Sequence, residues 1–222
     1  MAASDYSLVI GDKNFSSWSL RPWLALKQCG IPFGEVCVRL RQPESKAAIL
    51  KQSPAGKVPV LKAGDLMIWD SLAILEFLAE QHPECALWPA DRQARAEARA
   101  VSAEMHAGFP ALRNDMSMDI LSRLPAPPYS DGLRAEITRI VAIWTGARAR
   151  HGRGGRFLFG AFSNADAMFA PVATRFRTYG VDLAAFGDDG SAQAYAETLL
   201  ALPAMAEWTE GALAEMKARA AS

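Results

Sequence analysis

The feature that most constrains this chain is a change of pattern at one proline-bearing segment, His82-Pro83-Glu84-Cys85-Ala86-Leu87-Trp88-Pro89. Before it, short apolar runs alternate with helical spacings. Beyond it no strand pair is recognisable. Ser7 to Ile10 reads as a strand, and Leu20, Trp23, Leu24 and Lys27 then recur at helical spacing. Cys29-Gly30-Ile31-Pro32 stops that helix, because glycine accepts a left-handed backbone and proline cannot continue the ladder. Phe33 to Leu40 predicts a second strand, and Glu44 to Lys51 a short helix closed by Ser53-Pro54. Val58 to Leu61 and Leu66 to Trp69 form an expected hairpin around Ala63-Gly64-Asp65, with Pro59 at a strand start or edge. Asp70-Ser71 opens a helix carrying Leu72, Leu75, Leu78 and Ala79. The order is βαβαββα.

After the break the pattern is helical throughout. Asp91 to about Arg123 predicts a helical stretch that Pro110 bends or interrupts. Pro125, Pro127 and Pro128 interrupt again, and helices are expected over Leu133 to Arg150, Asp166 to Tyr179, Ser191 to Leu200 and Met205 to Arg219. The expected division is an α/β domain over 1–82, a linker over 83–91 and an all-helical domain over 92–222.

Twenty-four basic residues balance twenty-four acidic ones, so no bulk attraction to nucleic acid or an anionic membrane is expected. Cys29, Cys37 and Cys85 are an odd number without close pairing, which favours a reducing compartment over a disulfide scaffold. The opening MAASDYSLVIGDKNF lacks the basic and apolar regions of a secretion signal, and no run has the roughly twenty apolar residues of a membrane span. A cytoplasmic location follows as the expectation. His82, His106 and His151 are scattered, so no metal site is expected. The arginines at 148, 150, 153 and 156 surround glycines without interleaved aromatics, which suits a solvated loop better than a nucleic-acid tail.

Chemistry concentrates at three places. Asn14-Phe15-Ser16-Ser17-Trp18-Ser19 joins the first strand to the first helix, where open N–H groups and the helix dipole favour negative charge. A redox domain would carry C-x-x-C here; this chain has Ser16-x-x-Ser19, which excludes dithiol exchange at this site. A serine hydroxyl can instead donate to a bound thiolate and lower the thiol's pKa from about 8.5. Helix capping by these serines is the plain alternative. Next, a cis Val58–Pro59 bond would offer the Val58 backbone to an extended peptide, and Lys57 beside it could meet a carboxylate. Third, Ser71 and the open N–H groups of its helix can hold a carboxylate while Asp70 holds an ammonium, with capping again the alternative. A peptide with an ammonium beside one carboxylate, a central thiol and a second carboxylate would satisfy all three. Glutathione is such a peptide.

In this order, Ser16-Ser17-x-Ser19, Lys57-Val58-Pro59 and Asp70-Ser71-Leu72-Ala73-Ile74 resemble the glutathione transferase superfamily, closest to its serine-type, zeta-like bacterial members. The resemblance runs the length of the chain: a thioredoxin-like α/β domain, a linker, and an all-α domain in which Ser163-Asn164-Ala165-Asp166 looks like the family's capping box. It implies Ser16 as thiolate donor with Ser17 assisting. Val58 would meet the cysteinyl backbone, Lys57 the glycyl carboxylate, and Asp70 with Ser71 the γ-glutamyl end. Trp18 stands where the zeta pattern has cysteine, a departure that bears on isomerase chemistry, and Asp70 replaces the commoner glutamate. The electrophile's pocket is expected between the domains, with Trp18, His106, Phe109 and Arg113 as candidates and Met116 nearby. Core packing is the alternative for Phe109 and Met116, a surface ion pair for Arg113. The implied activity is transfer of glutathione to a small electrophile by a homodimer. A maleylacetoacetate-type isomerase and a non-catalytic binding module are the alternatives.

Overall fold

The computed structural model describes residues 6–221; the expected domains begin and end at residues 1 and 222, outside that range. The first half is built as β1 (Tyr6–Gly11), α1 (Ser17–Gln28), β2 (Gly34–Val38), α2 (Ser45–Leu50), β3 (Val60–Ala63), β4 (Leu66–Trp69) and α3 (Ser71–Gln81). The four strands form one sheet in the order β2-β1-β3-β4. β2 runs parallel to β1, while β1–β3 and β3–β4 are antiparallel. This is the thioredoxin-like α/β arrangement.

Alternation along β1 explains the layering. Leu8 and Ile10 face one way, into a core with Leu24 of α1 and Ile74 and Leu75 of α3. Val9 points to the other face, where it packs with Val38, Ile49 and Val60 under α2. The hairpin turn is tight: Ala63 pairs with Leu66, and Gly64 takes a positive φ of 59° that a side chain would resist. β3 begins after Pro59 rather than at Val58, since proline has no N–H to give the ladder.

A 3₁₀ turn at Pro83–Cys85 leads to the helical half: α4 (Arg92–Ala107), α5 (Pro110–Asp115), α6 (Asp131–His151), α7 (Asn164–Thr178), α8 (Ser191–Leu200) and α9 (Pro203–Ala220). Of the two outcomes expected at Pro110 the structure shows interruption, giving two helices; the extension to Arg123 fails, since residues 116–130 carry no helix. Pro110 starts α5 instead of bending α4, because Phe109 before it sits at a φ of 63°, off the helical path. The free N–H groups of Ala111 and Leu112 at the new start donate to the Glu136 carboxylate at 3.2 and 2.7 Å. Two isolated bridges, Phe157–Gly160 and Phe159–Ala161, are the only strand-like pairing beyond the linker among the described residues.

The main apolar core crosses from one half to the other. Trp23 of α1 meets Trp208 of α9 edge to face at 5.0 Å, and both are fully buried. Asn164 at the start of α7 donates through its side chain to the Leu75 carbonyl of α3 at 3.0 Å. The site loop between β1 and α1 is therefore held between two packed bodies.

Candidate functional site

A cleft of about 740 Å³ opens at the carboxyl end of β1, walled by the β1–α1 loop, the segment before β3 and the start of α3. Ser16, Ser17, Trp18, Lys57, Val58, Asp70, Ser71 and His106 all line it. Residues far apart in sequence thus converge on one cavity. Phe109 and Met116 do not line it: both are buried in the core, 5% and 0% exposed.

Ser16 precedes α1 but makes no cap hydrogen bond through its side chain. Its hydroxyl instead donates to Ser19 Oγ at 2.7 Å, and Ser19 Oγ also accepts the Gly11 N–H at 3.1 Å. The simple capping account of Ser16 therefore fails. The loop is fixed from below: the Asp12 carbonyl accepts the N–H groups of Phe15 and Ser16 at 3.1 and 2.8 Å. Ser17 Oγ accepts from Arg175 of α7 at 3.2 Å, across 158 positions of sequence. Arg175 also donates to the carbonyls of Met116 and Pro171 at 2.9 and 3.2 Å. Burial, with Arg113 adding to it, draws its guanidinium down to about 10, still charged at neutral pH.

The Val58–Pro59 bond is cis, and Lys57 beside it is exposed at the cleft wall. Asp70 takes a φ of 76°, a region that costs a non-glycine residue about 1–3 kcal/mol and persists only where surroundings enforce it. Here they do. Its Oδ1 accepts the Leu72 and Ala73 N–H groups at 2.9 and 3.4 Å, capping α3. Its Oδ2 lies 3.2 Å from His106 Nε2. Ser71 is fully buried and accepts from Arg21 Nη1 at 3.3 Å. Asp70 thus caps α3 with one oxygen and meets His106 with the other.

His106 sits at the Asp70 end of the cleft, rather than on a separate electrophile wall. Desolvation lowers its pKa; Asp70 opposes this, while Arg21 and Arg113 reinforce the lowering, which favours the neutral ring. Trp18 meets the His106 ring edge at 5.1 Å and is flanked by two guanidiniums, Arg21 at 4.4 Å and Arg113 at 4.8 Å. Arg113 does not line the cleft, and among the described residues it forms no surface ion pair. It donates to the Gly108 carbonyl at 2.9 Å and to that of Met105, closing the end of α4. Arg21, Arg175 and the role of Ser19 were not assigned from the sequence. The signal available was charge inside apolar helices: Arg21 lies one turn beyond Trp18, and Arg175 lies in a helix buried almost throughout.

Asp12, Cys37 and Glu215 form a compact group of potential ligand atoms away from the cleft. It is already occupied by partners. Asp12 accepts the Leu40 N–H at 2.7 Å and pairs with Arg219, and Glu215 accepts the Lys13 N–H at 2.9 Å. No helix of the described residues is long and apolar enough to cross a membrane.

Residues 15–81 match the glutathione S-transferase N-terminal domain. That stretch is less than a third of the chain, and over the rest the fold is that of solved glutathione transferases. Several of the proteins it resembles are zeta-class. A probable maleylacetoacetate isomerase of Caenorhabditis elegans is 36% identical over 110 residues, 50% of each chain. The holo structure of a maleylpyruvate isomerase, a bacterial zeta-class glutathione S-transferase, superposes with a TM-score of 0.69 at 25% identity, covering 91% of this chain and 95% of that one. A glutathione transferase homologue from Burkholderia, solved with bound glutathione, shares the fold at a TM-score of 0.67 and 22% identity, over 93% and 97% of the two chains. The chain spans about half the length of the curated relatives it matches.

Proposed function

We propose that this protein is a glutathione-dependent enzyme that binds the tripeptide along the cleft and activates its thiol through Ser16. The observation that carries the reading is the convergence of Ser16, Val58 and Asp70-Ser71 on a single cavity. The donor set fits the tripeptide by chemistry. Hydroxyls stand at the helix start, a carboxylate and a hydroxyl at the far end, and a lysine at the wall. Asp70 would hold the ammonium and Ser71 the neighbouring carboxylate, Val58 the peptide backbone, and Lys57 the second carboxylate.

Bound glutathione supplies a nucleophilic sulfur. Ser16 donates a hydrogen bond to its thiolate, and the α1 dipole adds favourable potential at the same point. Ser17, backed by Arg175, assists. The remaining task of the chain is to hold the two reactants in place, which removes entropy from the barrier. The small electrophile approaches from the Trp18 side. The protein acts in the cytoplasm as a homodimer joined through α3 and α4.

A second reading is isomerase chemistry, in which glutathione adds to the substrate and leaves again. Arg21, Arg113 and Arg175 favour it, since three guanidiniums around Trp18 and Ser17 make this end of the cleft positive and suited to an acidic electrophile. The zeta-class isomerases among its relatives point the same way. Turnover without loss of glutathione would assign isomerisation; stoichiometric consumption would assign transfer.

The test common to both is a pH titration of thiolate absorbance for glutathione bound to wild type and to Ser16→Ala. The bound thiol is expected about two units below the free value near 8.5 in wild type, returning toward it in the variant. Absence of any shift in wild type would reject thiol activation and leave a non-catalytic binding module.

A further inference from the structure

We infer that Ser19 is a positioning residue which turns the Ser16 hydroxyl outward, toward a bound thiolate. The inference rests on the serine-activation reading above and goes one layer deeper into it. A hydroxyl has one hydrogen to give and can accept on its oxygen. In the structure Ser19 Oγ accepts twice, from the Gly11 N–H at 3.1 Å and from the Ser16 hydroxyl at 2.7 Å. Ser19 is fully buried, and among the described residues its own hydrogen then has no acceptor. Reversing one bond removes that defect. When Ser19 donates to Ser16 Oγ, Gly11 still donates to Ser19, and the Ser16 hydrogen is free to point into the cleft that Ser16 lines.

The direction is set by a donor that cannot turn. The last β1–β3 pair is Val9–Val60, so the ladder to β3 ends before Gly11. Its N–H is fixed by the backbone and aimed at Ser19. A chain of aligned donors from Gly11 through Ser19 to Ser16 polarises each bond along it, strengthening the last by roughly 10–30% per link. A negative sulfur at the cleft selects this alignment, since only in it does Ser16 donate outward.

The same device recurs at the other hydroxyls of the cleft. Ser17 Oγ accepts from Arg175 and Ser71 Oγ from Arg21, both internal N–H donors, which leaves each serine's own hydrogen for a ligand. Ser16 differs in being backed through a second serine. That makes Ser19 the one replaceable link in its chain, buried behind the site and touching no ligand.

Ser19→Ala removes one oxygen from a packed position and tests the inference without touching the cleft wall. Thiolate absorbance of bound glutathione is titrated in wild type, Ser16→Ala and Ser19→Ala. Binding of S-methylglutathione, which has no ionisable thiol, is measured alongside. The expected result is a bound-thiol pKa about half a unit to one unit higher in Ser19→Ala than in wild type, with S-methylglutathione affinity unchanged. Ser19→Thr, which keeps the hydroxyl, should restore the wild-type value. A wild-type shift that persists in Ser19→Ala overturns the role of Ser19 and leaves Ser16 activation standing. Loss of S-methylglutathione binding in Ser19→Ala also overturns it, because the residue would then be holding the fold of the cleft. No lowering in wild type itself rejects the activation reading, and this inference with it.

Discussion

Replacing Asp166 by asparagine should change stability in a way that depends on pH, and the sign can be worked out from the structure. Asp166 lies in the first turn of α7, fully buried. Its Oδ1 accepts the Leu158 N–H at 3.2 Å and the Tyr195 hydroxyl at 2.9 Å. Its Oδ2 accepts the Ser163 N–H at 2.8 Å and the Ser163 hydroxyl at 2.9 Å, and the pair closes the capping box read from the sequence. Burial pushes the carboxyl up to about 6, while those four donors pull it down. Between about 3.9, its value in the unfolded chain, and about 6, the folded protein keeps a proton that the unfolded one has released. Stability therefore falls as pH rises through that window, by about 3 kcal/mol in all.

Asparagine does not titrate, so the D166N variant lacks this loss. Its amide must place an NH₂ group against one backbone N–H, either Leu158 or Ser163. The neighbouring hydroxyl can rotate to accept, but the N–H cannot, and an orphaned buried donor costs about 1–3 kcal/mol. The variant should therefore be less stable than wild type by that amount near pH 4, and near parity close to pH 7. Urea midpoints of the two proteins at a series of pH values give the difference directly, since other titrating groups cancel. A difference that stays flat, or that grows in favour of wild type as pH rises, would refute the reasoning. It would mean that the four donors outweigh burial and hold Asp166 ionised.

Two other expectations are checked more simply. Acidification should charge His106, whose imidazolium then competes with a ligand ammonium for Asp70; glutathione should bind more weakly near pH 5 than near pH 7, and the His106→Asn variant should lose less affinity over that range. Isothermal titration at both pH values decides it, and equal losses in the two proteins would remove His106 from the binding site. Met67 and Trp69 share one face of the edge strand β4 and are exposed, an apolar surface suited to a subunit contact. Wild type should sediment as a dimer and Met67→Glu at a lower average mass; a monomeric wild type would exclude the homodimer.

What the sequence discloses and what it hides divide along physical lines. The start of α3 is legible because its determinants are local: Asp70 caps with one oxygen the N–H groups two and three residues ahead. The tight turn at Gly64 and the capping box at Ser163 and Asp166 are legible for the same reason. The end of α4 stays open in the sequence because Pro110 carries one local signal with two outcomes, a bend or a fresh start. The choice lies with Glu136, 24 and 25 positions away, which receives the N–H groups a new helix exposes. Sheet order is hidden in a similar way, since strand periodicity tells which face is buried and not which strand is the neighbour. At the cleft, residue types and spacing point to Ser16, Val58 and Asp70-Ser71. They do not reveal that Ser17 is tied to Arg175 or that Asp70 faces His106, because both contacts cross between the halves of the chain.

Those cross-contacts argue that the serine loop belongs to neither half alone. Lys13 is gripped by α9, its carbonyl accepting from Trp208 Nε1 at 2.7 Å and its N–H donating to Glu215 at 2.9 Å. Asn14 is held by the stretch after α5: it donates to Asp119 at 2.9 Å and accepts the Leu121 N–H at 3.1 Å on its side chain, and its carbonyl accepts the Ile120 N–H at 3.2 Å. Asp12, whose carbonyl fixes Ser16, is paired with Arg219. Every residue from Asp12 to Asn14 is thus anchored to the helical half, as is Ser17 through Arg175. A loop of polar residues with open N–H groups would otherwise sample many conformations, and each fixed residue costs roughly 1–2 kcal/mol of backbone entropy. The helical half meets that cost before any ligand arrives. Hydroxyls that must meet a developing negative charge gain most from being held in advance, since no free energy is then drawn from binding to arrange them. The all-helical half therefore holds the serine loop in place as well as contributing His106 to the cleft wall.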